Sequence, residues 1–377
     1  MDRKLINTFR NRINDGDWVY HQYRNLDGKN KWSVICSATD WIDVVVDEID
    51  LKNLSTENTN EASVQMMKFI VCVDVLWEAV YQLHRAFFNT PQIPFKGECS
   101  IFKDRITRED DNDYFKTIRA CFSTHPINLH NIHEKLIAPP PSPHFNPKEE
   151  RWYASWSSGS TGPKDFSVVL SSNDPNKNQI FFDISFEELM QFAESRYQHL
   201  NAILREIDRQ QKEYIEEKSR MPIQKSDDPI SQIEILIAAQ KLRLDNDYYN
   251  HTLEELRIIY ATPITNPINI PIVSYFRKSL QSAISEIYDN IQEMKCNELN
   301  CDAILSPQIP HAYLYKFSNL CEFVYGRGCP VYVNGDDFID LVEDTVNLSD
   351  YESYDELYVL ILSSLFHKDK KKDMCID

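Results

Sequence analysis

Residues 61–89 read EASVQMMKFIVCVDVLWEAVYQLHRAFFN, a run that is apolar on nearly every side of a helix. A helix of this kind usually lies at the centre of a helical bundle, because it needs partners on most of its circumference. The chain also contains only 8 glycines in 377 residues, which argues against a turn-rich sandwich or a glycine-dependent nucleotide fold. We therefore expect a mainly α protein built around this helix.

The polar residues of this run form one narrow stripe. Asp74, Glu78, Gln82 and Arg85 follow one another at steps of four, four and three residues, so they share one face of the helix. Such a stripe is most often a solvent-facing seam. The alternative interpretation is that these side chains line a cleft.

Shorter helices are predicted on both sides of the central run. The spacing of apolar residues predicts helices over 3–14 and 32–49 before it, and a third over 110–124 after it. Acidic residues at 110–113 suit the start of that third helix, where the helix dipole favours negative charge. The pair His125-Pro126 should end it, because a proline disfavours helical geometry at the preceding residue. Residues 1–136 are thus predicted to form one helical bundle.

Composition changes after this bundle. Residues 137–164 are rich in proline, serine and glycine and are predicted to be a linker. Two alternating segments around a turn-rich hexapeptide predict a β-hairpin over 165–185. It opens a second, mainly helical domain over 165–377. The first helix of this domain is predicted over 186–219 and should begin with a capping box at Ser185 and Glu188.

Composition and charge also limit the partners and the compartment. The chain has no uninterrupted apolar stretch long enough to span a membrane and no signal-peptide pattern at its start, so we expect no membrane partner and a cytoplasmic protein. Nine scattered cysteines are consistent with reduced thiols. The net charge is −18, of which residues 1–150 carry −4 and the remainder −14. Nucleic acid would have to bind at a local site, most readily in the less acidic first half.

The segment YFKTIRACFSTHPIN, residues 114–128, carries the chemistry. Its place after several helices and a dominant apolar helix resembles the HEPN family (higher eukaryotes and prokaryotes nucleotide-binding). Catalytic members of that family carry an arginine, four to six residues, and then a histidine near the end of the domain. Arg119 and His125 enclose five residues and match this pattern. The resemblance covers about the first 135 residues and implies a metal-independent endoribonuclease of the toxin–antitoxin or antiviral defence type.

The residue types suit cleavage of RNA by its own 2′-hydroxyl. Histidine titrates near neutral pH and can act as base or acid, whereas arginine stays charged and binds phosphate through two parallel hydrogen bonds. No metal and no cofactor is required. The resemblance further implies a homodimer through the first domain. We expect the acidic second domain to sense a trigger or to restrain activity, and a regulatory protein is a further candidate partner.

Four other residues are candidates for supporting roles. Asp74 and Glu78 could orient the catalytic groups, and Thr124 and Asn128 flank the histidine. Ala120 departs from the family, whose active members commonly have a polar residue directly after the arginine. The alternative prediction is therefore a non-catalytic HEPN-like scaffold, sensor or regulator that dimerises or docks a partner.

Four weaker patterns occur elsewhere in the sequence. The run 157–164, SSGSTGPK, looks like a phosphate loop but is better explained as a flexible entry to the hairpin. The imidazoles of His125, His130 and His133, with Glu134, could offer ligands to a metal, but no closed four-ligand geometry is implied.

The remaining patterns lie near the end of the chain. Cysteines 296, 301, 321 and 329 match no compact zinc spacing and are best interpreted as free thiols. The triplet 326–328, Gly-Arg-Gly, is predicted to be a tight turn.

Overall fold

A computed structural model describes residues 1–50, 58–129, 132–137, 150–156, 165–300, 305, 307–326 and 333–373. The protein is mostly helical, with 63% of its described residues in helices and 7% in strands, and this confirms the mainly α prediction. The chain forms two compact units, Met1–Gln211 and Lys212–Asp377. Among the described residues, no helix is both long enough and apolar enough to cross a membrane.

The first unit contains eight helices in the described residues, together with a small sheet. The helices are α1 (Arg3–Asn14), α2 (Trp18–Tyr23), α3 (Lys31–Val45), α4 (Thr59–Phe88), α5 (Asp111–Arg119), α6 (Ile132–Lys135), α7 (Phe186–Tyr197) and α8 (Leu200–Arg220), the last of which contains the division at Gln211. A five-residue π-helical turn, Ala120–Thr124, continues α5.

Helix α4 is the longest of the described helices, and it confirms the central helix predicted over 61–89. Asn58 caps its start by accepting hydrogen bonds from the N–H groups of Asn60 and Glu61, at 3.0 and 3.4 Å. Its end is marked by Asn89, whose φ of 48° is left-handed. Side chains from most of its circumference are buried, including Ile70 and Leu83, both fully inaccessible. The helix therefore organises the core of the unit.

Helix α7 completes this core after the sheet. Phe115 of α5 and Phe192 of α7 are both fully buried and stack with their ring centroids 4.5 Å apart. The guanidinium of Arg196 is also fully buried, lies 4.1 Å from the centroid of the Phe192 ring and donates to Asn112 at 2.8 Å. The Tyr197 hydroxyl accepts from the N–H of Ile6 and donates to the carbonyl of residue 2, at 3.0 and 2.7 Å.

The sheet has three antiparallel strands in the order β1-β2-β3: β1 (Trp152–Trp156), β2 (Phe166–Ser172) and β3 (Ile180–Ile184). Strands β2 and β3 confirm the predicted hairpin, with Val168 opposite Phe182. Strand β1 corrects the interpretation of 137–164 as linker throughout, because residues 152–156 pair with β2. Residues 138–149 and 157–164 of that predicted linker lie outside the described residues.

The division between the units also differs from the predicted boundary. Trp152, Phe182 and Phe192 belong to the same hydrophobic core as Phe115, so the sheet and α7 extend the first unit to Gln211. The proline-rich composition suggested a linker, but the apolar surfaces that precede and follow it pack into one core. The segment at 137–164 is therefore not where the compact units divide.

The start of α7 differs from its prediction in one detail. Ser185 is its N-cap residue, but its side chain makes no capping hydrogen bond. Glu188 instead accepts from the N–H of Lys103 at 3.2 Å. The predicted capping box is therefore wrong, because the carboxylate has a partner on another segment.

The second unit is helical in its described residues and has a core of its own. Its helices after α8 are α9 (Pro229–Arg243), α10 (Asn250–Ala261), α11 (Ile270–Ser279), α12 (Gln281–Gln292), α13 (Leu314–Val324), α14 (Ile339–Val342) and α15 (Tyr354–Asp373). Helix α15 is central to this core, since residues 357–361 are at most 2% exposed.

Candidate functional site

Arg119 is the last residue of α5 and is fixed by Asp74 of α4. Its Nη1 atom donates to both carboxylate oxygens of Asp74, at 2.8 and 2.7 Å. The two side chains are 35% and 27% exposed, so the ion pair lies at the surface of the unit. The Nε atom of Arg119 is buried and has no hydrogen-bond partner among the described residues. The arginine is thus held as an oriented cation at the end of its helix.

The helix changes to a wider, π-helical turn immediately after Arg119. The N–H of His125 donates to the carbonyl of Ala120 at 3.1 Å, five residues back, which closes the π-helical turn. The hydroxyls of Ser123 and Thr124 donate to the Arg119 carbonyl at 2.9 and 3.4 Å. Such turns occur frequently at functional sites, because they displace the side chains that follow.

His125 leaves the helix at this point and is exposed. Its backbone angles, φ −138° and ψ 38°, are not helical, as the following Pro126 predicts. The imidazole lines a pocket of about 450 Å³ together with Lys116, Asn128 and Lys135. The remaining lining residues are Thr117, Ala120, Cys121, Leu129 and Ile132.

The two lysines of this pocket, which we call the His125 pocket, are held by acidic neighbours. Lys116 pairs with Asp113 at 2.8 Å and Lys135 with Glu109 at 2.7 Å. Both lysine side chains remain about half exposed, which leaves their ammonium groups accessible to a phosphate. Burial raises the pKa of the Cys121 thiol to about 12, so this cysteine stays neutral and is no nucleophile.

A second cavity lies between α3 and α4. It has a volume of about 480 Å³ and is lined by Asp74, Glu78 and Gln82 of the polar stripe and by Val34 and Trp41 of α3. Three of the four stripe residues therefore border a groove, while Glu78 and Arg85 are also exposed to solvent. We call this cavity the α3–α4 groove.

The structure divides the predicted site residues between these two cavities, except for Arg119 and Thr124, which line neither of them. Asp74 holds Arg119 beside the α3–α4 groove, and Glu78 in the same groove accepts from Gln82 at 2.6 Å. His125 and Asn128 share the His125 pocket, and Ala120 contributes a methyl group there in place of a polar side chain. Thr124 is exposed, with its hydroxyl bonded to the backbone.

The sequence predicts that Asp74 orients the catalytic groups, and in the structure it pairs with Arg119, 45 positions away. Other features of the site are not predicted by the sequence. Lys116 and Lys135 could have been found as the basic residues that flank the histidine on each side. His84 and His199 are in contact, with 3.0 Å between Nδ1 of His84 and Nε2 of His199. Because the two residues are 115 positions apart, local spacing in the sequence could not predict this contact.

Most residues of the weaker sequence patterns lie outside the part of the chain that the structure describes. These are the run 157–164, His130, the cysteines at 301 and 329, the residues 327–328, and the side chains of His133 and Glu134. Within the described part of the chain, no three histidine, cysteine or acidic residues are grouped so that they could hold a metal ion.

Comparison with protein-family profiles, with curated protein sequences and with solved structures found no match to this chain.

Proposed function

We propose that the first unit is a metal-independent endoribonuclease whose phosphate-binding surface is the His125 pocket. The observation that carries the proposal is the exposed imidazole of His125 beside Lys116, Asn128 and Lys135. Imidazole supplies general acid–base chemistry near neutral pH, and two accessible ammonium groups attract a phosphodiester. This cluster provides the local basic site that an acidic chain would need in order to bind RNA.

The reaction proposed is transesterification at phosphorus. His125 takes the proton of the 2′-hydroxyl, the 2′-oxygen bonds to phosphorus, and the bond from phosphorus to the 5′-oxygen breaks. The leaving 5′-oxygen takes a proton from water or from a second His125 in a homodimer. The products are a 2′,3′-cyclic phosphate and a 5′-hydroxyl end. Arg119, which Asp74 orients outside the lining of the His125 pocket, would stabilise the charge that develops on the phosphate where the RNA extends beyond the pocket.

RNA cleavage by the purified full-length protein in the presence of a chelator tests this proposal. His125→Ala should slow the appearance of cyclic phosphate ends by about 10²-fold or more, because general acid–base catalysis contributes at least that much. Arg119→Ala should also reduce cleavage, and Asp74→Asn should reduce it less because the guanidinium remains. His311→Ala, at an exposed histidine of the second unit, is the matched control and should cleave like the wild type.

Two results would contradict the ribonuclease. Cleavage that survives both His125→Ala and Arg119→Ala would show that these residues are not the catalytic pair. An absence of cleavage by the wild-type protein, together with no binding of RNA, would favour the second candidate function.

That second candidate is a non-catalytic interaction or dimerisation module, and it has an observation of its own. Trp41 and Val34, seven residues apart on the same face of α3, line the α3–α4 groove and are 54% and 41% exposed. Val44, three residues after Trp41, is 60% exposed. A bulky exposed apolar row of this kind often marks an interface. Sedimentation of the wild type and of Trp41→Ala distinguishes the candidates, since loss of a dimer without any RNA cleavage supports the interaction module alone.

A further inference from the structure

Another cavity of the first unit lies where α4 ends and α3 begins. Its volume is about 320 Å³, at the lower end of the range that is usual for small-molecule sites. Lys29, Lys31 and Arg85 line it, and the described residues of its lining include no aspartate or glutamate. We call this cavity the Lys31 pocket.

Local hydrogen bonds fix the backbone around this pocket. Lys29 closes a tight turn, in which its N–H and its carbonyl each form a hydrogen bond of 3.0 Å with the backbone of Leu26. Asn30 then caps the start of α3 by accepting a hydrogen bond of 3.1 Å from a backbone N–H of its first turn. The side chain of Asn89, which ends α4, accepts from Nζ of Lys31 at 2.7 Å. The cationic side chains therefore extend from one turn and two helix ends that are each held in place.

The three cationic groups have no carboxylate partner among the residues that the structure describes. Lys31 donates to Asn89, and Arg85 donates one long hydrogen bond of 3.4 Å to Gln82. An ammonium has three N–H donors and a guanidinium has five, so most of these donors remain available to a ligand. Arg3 of the same unit, by contrast, pairs with two aspartates of α3.

The two helix ends do not supply the missing negative charge. The end of α4 carries about half a unit of negative charge, and the start of α3 carries about half a unit of positive charge, so the two offset each other. The three side chains therefore set the electrostatic potential of the pocket, and it is positive. This is a local exception in a chain whose net charge is −18.

The rest of the lining limits what can accompany an anion. Val34, which is 41% exposed, and Pro91 present apolar surface. Val34 and Gln82 also line the α3–α4 groove, so the two cavities adjoin. Asp74 and Glu78 of that groove would repel a second negative group. A ligand that fits both cavities is therefore anionic at one end only.

We propose that the Lys31 pocket binds the phosphate monoester group of a small ligand whose remaining part is uncharged. Arg85 would donate two parallel hydrogen bonds to phosphate oxygens, and Lys29 and Lys31 would contact the others. A phosphate monoester carries about 1.5 to 2 negative charges near pH 7, which suits three cations better than the single charge of a carboxylate. The uncharged part would contact Val34 and Pro91. The proposal depends on neither of the two candidate functions.

Calorimetric titration of the full-length protein at low ionic strength tests this proposal. The probe is phenyl phosphate, and benzoate and benzyl alcohol are its singly charged and neutral counterparts. We expect saturable binding of phenyl phosphate and about ten-fold weaker binding of benzoate, because benzoate makes fewer charge-assisted hydrogen bonds. Benzyl alcohol should bind more weakly still. Added salt should weaken the binding of phenyl phosphate, since the cations of the pocket are accessible to solvent.

Variants locate the binding and provide the controls. Lys29→Gln and Arg85→Gln change exposed side chains, and each should weaken the binding of phenyl phosphate about ten-fold. Lys116→Gln removes a cation of the His125 pocket and should bind like the wild type, because both lysines of that pocket already have acidic partners. Lys241→Gln, at an exposed lysine of the second unit, should also bind like the wild type. Thermal unfolding shows that each variant is folded.

Four results would overturn the proposal. The first is no binding of phenyl phosphate, and the second is equal binding of benzoate. The third is binding that is unchanged in folded Lys29→Gln and Arg85→Gln but lost in Lys116→Gln, which would place the anion in the His125 pocket. The fourth is displacement of phenyl phosphate by a short single-stranded RNA without terminal phosphates at equal concentration, which would make the pocket a surface for phosphodiesters.

Discussion

His199→Gln removes one half of the buried histidine pair and should change how the stability of the first unit depends on pH. The two imidazoles are joined at 3.0 Å, and the ring of His84 stacks on Phe88 while that of His199 meets the edge of Phe95. Burial, then the charges of His84 and Arg196, lowers the pKa of His199 to about 4. Burial also lowers the pKa of His84.

The direction of the effect follows from the proton balance. Above pH 6.5, the ordinary value for histidine, His199 is neutral in the folded and the unfolded chain and has no effect. Between pH 6.5 and about 4 the unfolded chain binds a proton that the folded unit excludes, so stability falls as the pH falls. One unit of pKa is equivalent to about 1.4 kcal/mol.

The pKa values set the loss in the free energy of unfolding that is expected between about pH 7.5 and about pH 5. A fully shielded histidine with these pKa values would cost the folded unit about 2 kcal/mol over that interval. His199 is only partly buried, and solvent screening reduces the expected loss to about 1 kcal/mol. His84 titrates in the same direction and adds to the loss in the wild type.

Urea unfolding followed by tryptophan fluorescence measures this loss for the first unit alone. All six tryptophans of the chain, at positions 18, 32, 41, 77, 152 and 156, belong to residues 1–211. The free energy of unfolding of the wild type should fall by about 1 kcal/mol more than that of His199→Gln between the two pH values. His125→Gln, at an exposed histidine, should follow the wild type.

Parallel pH profiles of the wild type and His199→Gln would refute this reasoning. They would mean that the pair accepts a proton without loss of stability, for example by sharing it between the two rings. A larger loss in the variant than in the wild type would contradict the assigned sign of the pKa shift.

The same urea assay checks two further predictions. Asp111→Asn should destabilise the first unit by about 3 kcal/mol, because the fully buried carboxylate pairs with Arg105 and accepts three hydrogen bonds from the N–H groups of residues 100–102; a loss below about 1 kcal/mol would contradict this. Phe115→Ala should cost about 3–5 kcal/mol by leaving a cavity in the core, whereas Phe181→Ala, at a ring that is 52% exposed, should cost far less.

Periodicity was sufficient to predict the long elements of the fold. The central run 61–89 corresponds to α4, and the hairpin at 165–185 to β2 and β3. The run 186–219, predicted as one helix, is two, because the chain turns between Tyr197 and Leu200. Apolar spacing records which face is buried but carries no information about a break of two residues in an otherwise continuous pattern.

The candidate site was predicted from residue types and from their local spacing, and these reveal only features that lie close together in the sequence. The pattern Arg119-x5-His125 and the departure of His125 from its helix before Pro126 were both accessible from the sequence. The π-helical turn was not, because it depends on how α5 packs as well as on its own residues. The sequence predicts an orienting role for Asp74 but not that its partner is Arg119, since that pairing requires the packing of α5 against α4.

The hydrogen bonds of the Tyr197 hydroxyl affect the order in which the first unit can fold during synthesis. It bonds to the backbone of residues 2 and 6, which are 195 and 191 positions earlier in the chain. During synthesis the first helix must therefore wait for α7 to leave the ribosome before it reaches its final partner. Contacts this distant in sequence slow folding. Phe9 has an earlier partner in Phe87 of α4, with ring centroids 6.2 Å apart, so it is the hydrogen bonding of the first helix, and not the covering of all its apolar side chains, that waits for α7.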